Sequence, residues 1–480
     1  MEAGNTYQSP LISRYASKEM SYNWSDQKKY SLWRQLWLEL AKAEKELDLD
    51  ISNEQIAEME HHLNDIDFNR ASEIEKQLRH DVMSHIHLFG ELCPKAKPII
   101  HLGATSCYVT DNSELIQLRD GMFIIQKKLI TLMKRLSERC EEFAFLPTLG
   151  FTHYQPAQPT TVGKRLSLYL QDLLFDFSRL NYEIENLLFR GIKGTTGTQA
   201  SFMALFNGNT KKIMELDSRI ARAMGFTKSI PVSGQTYTRK VDYYILSVFS
   251  GIAQSAYKFA GDFRLLSNLG EVEEPFEPSQ IGSSAMAYKR NPMRSERICS
   301  LARYVISLPA NTASTHANQW FERTLDDSAN RRIVLPESFL ALDIILSLFY
   351  NIIDGFEVWP KVIEGNLIKE LPFIATENIL MAGVKAGGDR QKLHEAIRTH
   401  SIAAIKEIKE SGKPNDVLNR IKADPLFSKI VDDIDKLLNP NDFIGRAPDQ
   451  VKVFLENEIK PVLKKYGSLI DCKVFDSILV

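Results

Sequence analysis

Three long stretches of this chain place apolar residues at alternating spacings of four and three, and that period narrows the possible folds more than any other feature. Leu166, Leu170, Leu173, Phe177, Leu180, Ile184 and Leu187 form the first stripe. Val241, Ile245, Val248, Ile252, Ala256, Phe259, Phe263 and Leu266 form the second, and Leu335, Phe339, Leu342, Leu346, Phe349, Ile353 and Phe356 the third. Each puts one apolar face on a helix, and that face must be covered. Sustained four-three alternation favours packing at shallow angles, as in bundles. Ile125, Leu129, Leu132 and Leu136 mark a shorter fourth helix. Period-two alternation is scarce, so little sheet is expected and the fold class is all-α. Leu174 with Phe175, and Ile344 with Ile345, lie beyond their stripes. A helix apolar on more than one face needs further partners, which points to burial in an oligomer.

The stripes occupy the middle of the chain, and punctuation suggests three parts. Residues 1–110 form an N-terminal helical part rich in charge and histidine, and residues 111–358 hold the long-helix bundle. Residues 359–480 begin near Trp359-Pro360 and read as shorter helices, broken at Gly387-Gly388, Gly412-Lys413-Pro414 and Asn439-Pro440. A chain of 480 residues can bury a large core. Its formal net charge of −2 offers no basic field for nucleic acid, so none is expected as a partner and any anion binding is local. No apolar run reaches the roughly 18 residues of a membrane span, and the polar start Met1 to Thr6 lacks a secretory pattern. No membrane partner is expected, and the location expected is cytoplasmic. Cys93, Cys107, Cys140, Cys299 and Cys472 are scattered, with no Cys-x-x-Cys; they read as buried or half-buried free thiols.

Loops of unusual chemistry separate the long helices: Thr148 to Gln158, Gly194 to Gln199, Ser233 to Arg239 and Gly282 to Asn291. Loops on a rigid frame are where function concentrates. The last holds Ser283, Ser284, Lys289, Arg290 and Asn291 within ten residues. Its amides and the Lys289 ammonium suit a developing oxyanion, and it could close as a lid. On spacing alone it also suits an ordinary surface loop. His153 stands two residues before Gln155-Pro156, on an irregular segment rather than a helix face; histidine suits acid–base work, or a structural role. In Arg79 to His87, helical spacing puts Asp81 with His85 and His80 with His87 on different faces, so they do not converge as a zinc set and no metal is expected. Arg294, Arg297, Arg303, Arg323, Arg331 and Arg332 follow the Ser283 loop and suit a small polyanion. The plainer reading is surface pairing with Glu296, Glu322, Asp326 and Asp327. No glycine-rich nucleotide-cofactor motif is present, and no cofactor is expected.

Gly-Ser-x-x-Met-x-x-Lys-x-Asn, from Gly282 to Asn291, resembles the signature of the fumarase/aspartase superfamily. His101-Leu102-Gly103-Ala104-Thr105-Ser106 and Thr152 to Gln158 resemble that superfamily's other site regions. Arg14-Tyr15-Ala16-Ser17, Arg79 to Met83, Lys193 to Ser201, Trp320 to Arg332 and Gly445 to Pro448 are closest to its branch that acts on succinylated purine nucleotides. The likeness runs through nearly the whole chain. It implies a three-part all-α fold whose long helices form the core of a homotetramer, with each site shared between three chains. It implies β-elimination of fumarate from the succinylated adenine nucleotide, giving AMP, and from the succinyl-carboxamide ribotide of purine synthesis. By resemblance Ser283 is the general base, with Ser284 the neighbouring alternative, and His153 the general acid. Glu296 resembles the carboxylate that orients His153, His80 the second histidine, and Lys289 a stabiliser of the dianion. Arg14, Tyr15, Arg79, His80, Asp81, Thr105, Ser106, Thr152, Gln235, Asn291, Arg297, Arg323, Ser328 and Arg332 match substrate-binding positions. Ala287 stands where such lyases commonly have proline, which loosens the loop without removing a reacting group.

Overall fold

The computed structural model describes residues 5–277 and 280–475. Seven helices carry the argument: α1 (Asp26–Glu46), α2 (Asp81–Leu92), α3 (Ser106–Glu142), α4 (Val162–Asn186), α5 (Lys240–Asn268), α6 (Met293–Ala317) and α7 (Asp326–Gly355). The three stripes are α4, α5 and α7, and the fourth lies in α3, which is longer than its stripe and runs through Thr110. Local chemistry sets several starts. The Ser25 and Thr161 hydroxyls accept the Lys28 and Lys164 amides at the first turns of α1 and α4. Asp326 and Asp327 place negative charge in the first turn of α7.

The bundle packs α5 against α6 and α7, and α3 against α4 and α7. Its centre is aromatic. Phe339 of α7 meets Phe249 at 4.5 Å and Trp24 at 5.1 Å, and Phe259 stacks on Phe349 at 4.1 Å. Gly121 of α3 gives Phe339 its room, since a Cβ there would stand 2.6 Å from the ring. Ile344 and Ile345 are both buried within this chain. The second apolar face of α7 is therefore consumed by its own neighbours and calls for no oligomer. On α4 the outcome is the opposite: Leu168, Phe175 and Tyr182, seven residues apart, stay exposed.

α7 also corrects the expectation that nothing here is long and apolar enough to cross a membrane. It meets that criterion, but 83% of its most apolar window is buried inside the fold, which is what the central helix of a bundle requires. A second, smaller core holds Ile379, Leu393, Ile397, Val417, Phe427 and Ile434 in the C-terminal part. The strands form two-stranded antiparallel sheets. One is the hairpin β1 (Pro147–Thr152) and β2 (Gln155–Thr161); the other is β3 (Val272–Glu273) with β4 (Glu357–Val358). Four cysteines are buried free thiols, and Cys472 is exposed, against the expectation of at least partial burial.

Candidate active site

His153 is at the tip of the β1–β2 hairpin rather than on an irregular segment. Thr152 pairs with Gln155, so His153 and Tyr154 are the two turn residues, with φ of 54° and 56°. Two positive φ values make the turn type that suits strand twist but normally uses Asn-Gly. Side chains there cost backbone energy and are found where the surroundings or function require them. The imidazole is exposed and has no hydrogen-bond partner among the described residues.

The Gly282 to Asn291 loop closes on itself. The Asn291 side chain donates to the Gly282 carbonyl at 2.9 Å, and a Cβ at Gly282 would stand 2.1 Å from the Lys289 carbonyl oxygen. Only glycine permits that approach. Inside the loop, the Ser283 hydroxyl oxygen accepts the amides of Met286 at 3.1 Å and Ala285 at 3.4 Å. Ser284 is exposed. Arg290 anchors the loop to the small sheet, donating to Glu273 of β3 at 2.8 Å and lying over the Phe276 ring. Lys289 is exposed, and its ammonium has no anionic partner among the described residues.

The other expected residues gather in three groups. Arg14 and Arg297 lie 5.8 Å and 5.6 Å from the Tyr15 ring, so one phenol holds two guanidiniums. In the second group, Arg79 takes the left-handed conformation that ends the preceding helix, and His80 caps α2, its Nδ1 accepting the Met83 amide at 3.3 Å. His80 is therefore not on the α2 face. Asp81, the first residue of α2, pairs with Arg332 at 3.1 Å, and Ser328 lies one turn before Arg332 on α7. His85 is buried and stacks on Tyr30 at 3.7 Å. Burial, with Arg34 and Lys29 nearby, pushes it down to about 4. Burial and the nearness of His80 do the same to His101, whose Nδ1 accepts the Trp37 indole N–H at 2.8 Å. Among the described residues no cluster of three or more His, Cys, Asp or Glu is placed to hold a metal.

The third group is the N-terminus of α3. Thr105 is its N-cap but its hydroxyl makes no capping bond, and the first turn has no acidic residue. Neither a capping side chain nor an acidic residue of the first turn therefore offsets the positive end of this 37-residue helix. Arg323 and Gln235 meet beside it, Arg323 Nη1 donating to Gln235 Oε1 at 2.5 Å.

A buried ionic network, which the sequence did not announce, supports these groups. Arg239 pairs with Asp111 at 3.1 Å and Asp327 at 2.7 Å; Arg331 pairs with Asp242 at 2.7 Å and Glu114 at 2.6 Å and donates to the Tyr237 hydroxyl. Burial alone would raise Asp111, but Arg239, Arg331 and Arg190 outweigh it and hold its carboxyl below the usual range. Arg331 is thus a core residue and not part of an anion-binding cluster. The expected surface pairing also fails in detail. Asp327 binds Arg239, Asp326 meets Gln319, and Glu296 lies 3.8 Å from Arg264. No hydrogen bond or ion pair among the described residues joins His153 to Glu296, or Ser283 to His80.

Residues 12–307 match the family described as "Lyase", and residues 372–454 match "Adenylosuccinate lyase C-terminus". Adenylosuccinate lyase of Saccharomyces cerevisiae is 52% identical over 465 residues, 96% of each chain. The protein of that name from Schizosaccharomyces pombe is 50% identical over 98% of each chain, and that from Schistosoma mansoni 48% over 99% of each. Among solved structures, a 3-carboxy-cis,cis-muconate lactonizing enzyme from Pseudomonas putida superposes with a TM-score of 0.82 at 22% identity, over 94% of this chain and 99% of that one. A fumarate lyase from Mesorhizobium sp. BNC1 gives 0.79 at 21%, over 94% and 100%. These two carry the fold alone.

Proposed function

The chain belongs to the adenylosuccinate lyase family of the fumarase/aspartase superfamily, and from that premise we propose that it splits adenylosuccinate into AMP and fumarate, and the succinyl-carboxamide ribotide into its carboxamide product and fumarate. The reaction removes a proton beside a carboxylate and breaks the neighbouring C–N bond. The proton is weakly acidic, because its loss puts a second negative charge on that carboxylate. Fixed donors around the dianion are the efficient remedy.

The observation that carries the mechanism is the Ser283 hydroxyl oxygen, held as acceptor by the Met286 and Ala285 amides. Serine is a poor base at its ordinary pKa. Hydrogen bonds to the charged form favour that form, so the two amides support Ser283 rather than Ser284 as the base. Lys289, without an anionic partner of its own among the described residues, supplies positive charge to the dianion. His153, presented on its turn, gives the departing nitrogen its proton, and Glu296 orients that imidazole. The Arg14–Tyr15–Arg297 group, the Arg79–His80–Asp81 corner with Ser328 and Arg332, and the α3 start with Thr105, Ser106, Gln235 and Arg323 bind substrate. Thr152 and Asn291 shape the hairpin tip and the loop neck.

These members lie apart within one chain. The reading is therefore a homotetramer in which three chains complete each site. The exposed Leu168, Phe175 and Tyr182 on α4 support it, as a stripe for another chain to cover. The test is the ultraviolet spectrum of adenylosuccinate mixed with the purified protein. Parent and Ser284→Ala should convert it, and Ser283→Ala should not. No conversion by the tetrameric parent, or cleavage of argininosuccinate instead, would overturn the substrate; loss in Ser284→Ala alone would overturn the base.

A further inference from the structure

Cys107, the second residue of α3, is 1% exposed. Its sulfur is in contact with Arg323 Nη1 and lies 3.7 Å from Gln235 Oε1, and that nitrogen is hydrogen-bonded to that oxygen. The three side chains close a ring. The ring also ties down backbone, since Gln235 Nε2 donates to the Thr195 carbonyl at 3.1 Å and the Gln235 amide to the Glu322 carbonyl at 3.0 Å. Three segments therefore meet at one sulfur, and Gln235 ties the Thr195 loop to them.

Burial is the largest influence on the Cys107 thiol and, with Asp111, pushes it up to about 11. The sulfur is a neutral S–H at working pH. It donates toward Gln235 and presents lone pairs to Arg323, so it holds both without adding charge. Only Nη1 of Arg323 is engaged; Nη2 and Nε have no partner among the described residues. That Nε–Nη2 edge of the planar fork is the one that meets paired anionic oxygens bidentately. It stands beside the open positive end of α3.

We propose that Cys107 is a positioning residue for substrate binding: its thiol fixes Arg323 and Gln235 so that the free edge of Arg323 receives an anionic oxygen pair of the substrate. This rests on the lyase reading above. The oxygens belong either to a carboxylate of the fumarate half or to the phosphate of the AMP half. Cys107 touches no reacting atom, so the consequence is in binding. A thiol is longer and a weaker hydrogen-bonding group than a hydroxyl. Serine keeps a donor and acceptor but sits farther from both partners, while alanine removes the tie.

The experiment compares parent, Cys107→Ser and Cys107→Ala in steady-state cleavage of adenylosuccinate, with product inhibition by fumarate and by AMP measured separately. KM should rise roughly tenfold in Cys107→Ala, the scale of one hydrogen bond to a charged group, with kcat within about twofold and Cys107→Ser in between. Inhibition by one product should weaken by the same factor while the other is unchanged, and the product that moves identifies the oxygens. An unchanged KM, or equal weakening of both products, overturns the proposal. If Cys107→Ala fails to fold, Cys107→Ser carries the same comparison. A parent without activity on adenylosuccinate removes the lyase reading and this proposal together; an active parent with unaffected variants removes this proposal alone.

Discussion

Glu44 makes a quantitative prediction. It lies near the end of α1, is 0% exposed, and among the described residues neither carboxylate oxygen has a hydrogen-bond partner. Burial alone pushes its carboxyl up from 4.5 to about 9. The folded protein therefore carries Glu44 protonated at neutral pH, whereas the unfolded chain carries it ionised. For an acid with a raised folded pKa, the unfolded state gains as pH rises above about 4.5, and the loss of stability levels off only near 9. Each pH unit in that window costs about 1.4 kcal/mol. The accumulated cost is below about 1 kcal/mol at pH 5 and on the order of 4 to 5 kcal/mol at pH 8. Glu44→Gln keeps the shape and polarity but cannot ionise. Its advantage over the parent should be about 4 kcal/mol larger at pH 8 than at pH 5. Urea unfolding of both proteins at fixed protein concentration measures this by tryptophan fluorescence, since Trp33 and Trp37 are buried on the same helix. An advantage equal at the two pH values would refute the reasoning, because it would mean that Glu44 has the same protonation in both states.

Three further outcomes follow from the site. Gly282→Ala should cut kcat at least roughly tenfold without shifting the thermal midpoint, because the new methyl meets the Lys289 carbonyl in a neck made of backbone; an unchanged kcat would mean that the neck opens freely. Arg331→Met should cost about 3–5 kcal/mol in denaturant unfolding, since Asp242, Glu114 and the Tyr237 hydroxyl lose their buried cation; a neutral result would refute the network's role. His153→Asn keeps a residue that tolerates positive φ, so circular dichroism should not change while turnover falls by roughly 10²–10⁴, and full turnover would remove His153 as the acid.

The long helices were legible because a stripe must be buried whatever covers it. α6 carries only a weaker run: Ile298, Val305 and Leu308 are buried on it, but the inward positions between and beyond them are Ser295, Cys299, Ala302 and Thr312, small or polar residues that dilute the stripe. The hairpin was hidden for two reasons. β2 carries Pro156 and Pro159, which remove ladder donors, and its turn is His-Tyr where Asn-Gly would have signalled it. Ile344 and Ile345 mark the limit of reading oligomers from apolar excess. The pattern fixes how much of a helix must be covered, while the packing of this chain decides what covers it.

The site residues were legible by resemblance, and the structure adds which of their charges are available. Arg331 and Arg332 are neighbours in sequence and, about 100° apart around α7, have opposite fates. Arg331 turns into the core and is consumed by Asp242 and Glu114, with Tyr237 and Asp111 binding the 233–239 loop to the same network. Arg332 is 58% exposed and shares Asp81 at the start of α2. Sequence cannot separate two adjacent arginines, because burial is decided by carboxylates from α3 and α5. The consequence is a division of labour along one turn of helix. The buried guanidinium sets where α7 begins relative to α3, and so where Arg332, Ser328 and Arg323 can stand. Substitution at Arg331 should reach the site only through the fold, lowering stability and activity together, whereas substitution at Arg332 should weaken substrate binding and leave the fold intact.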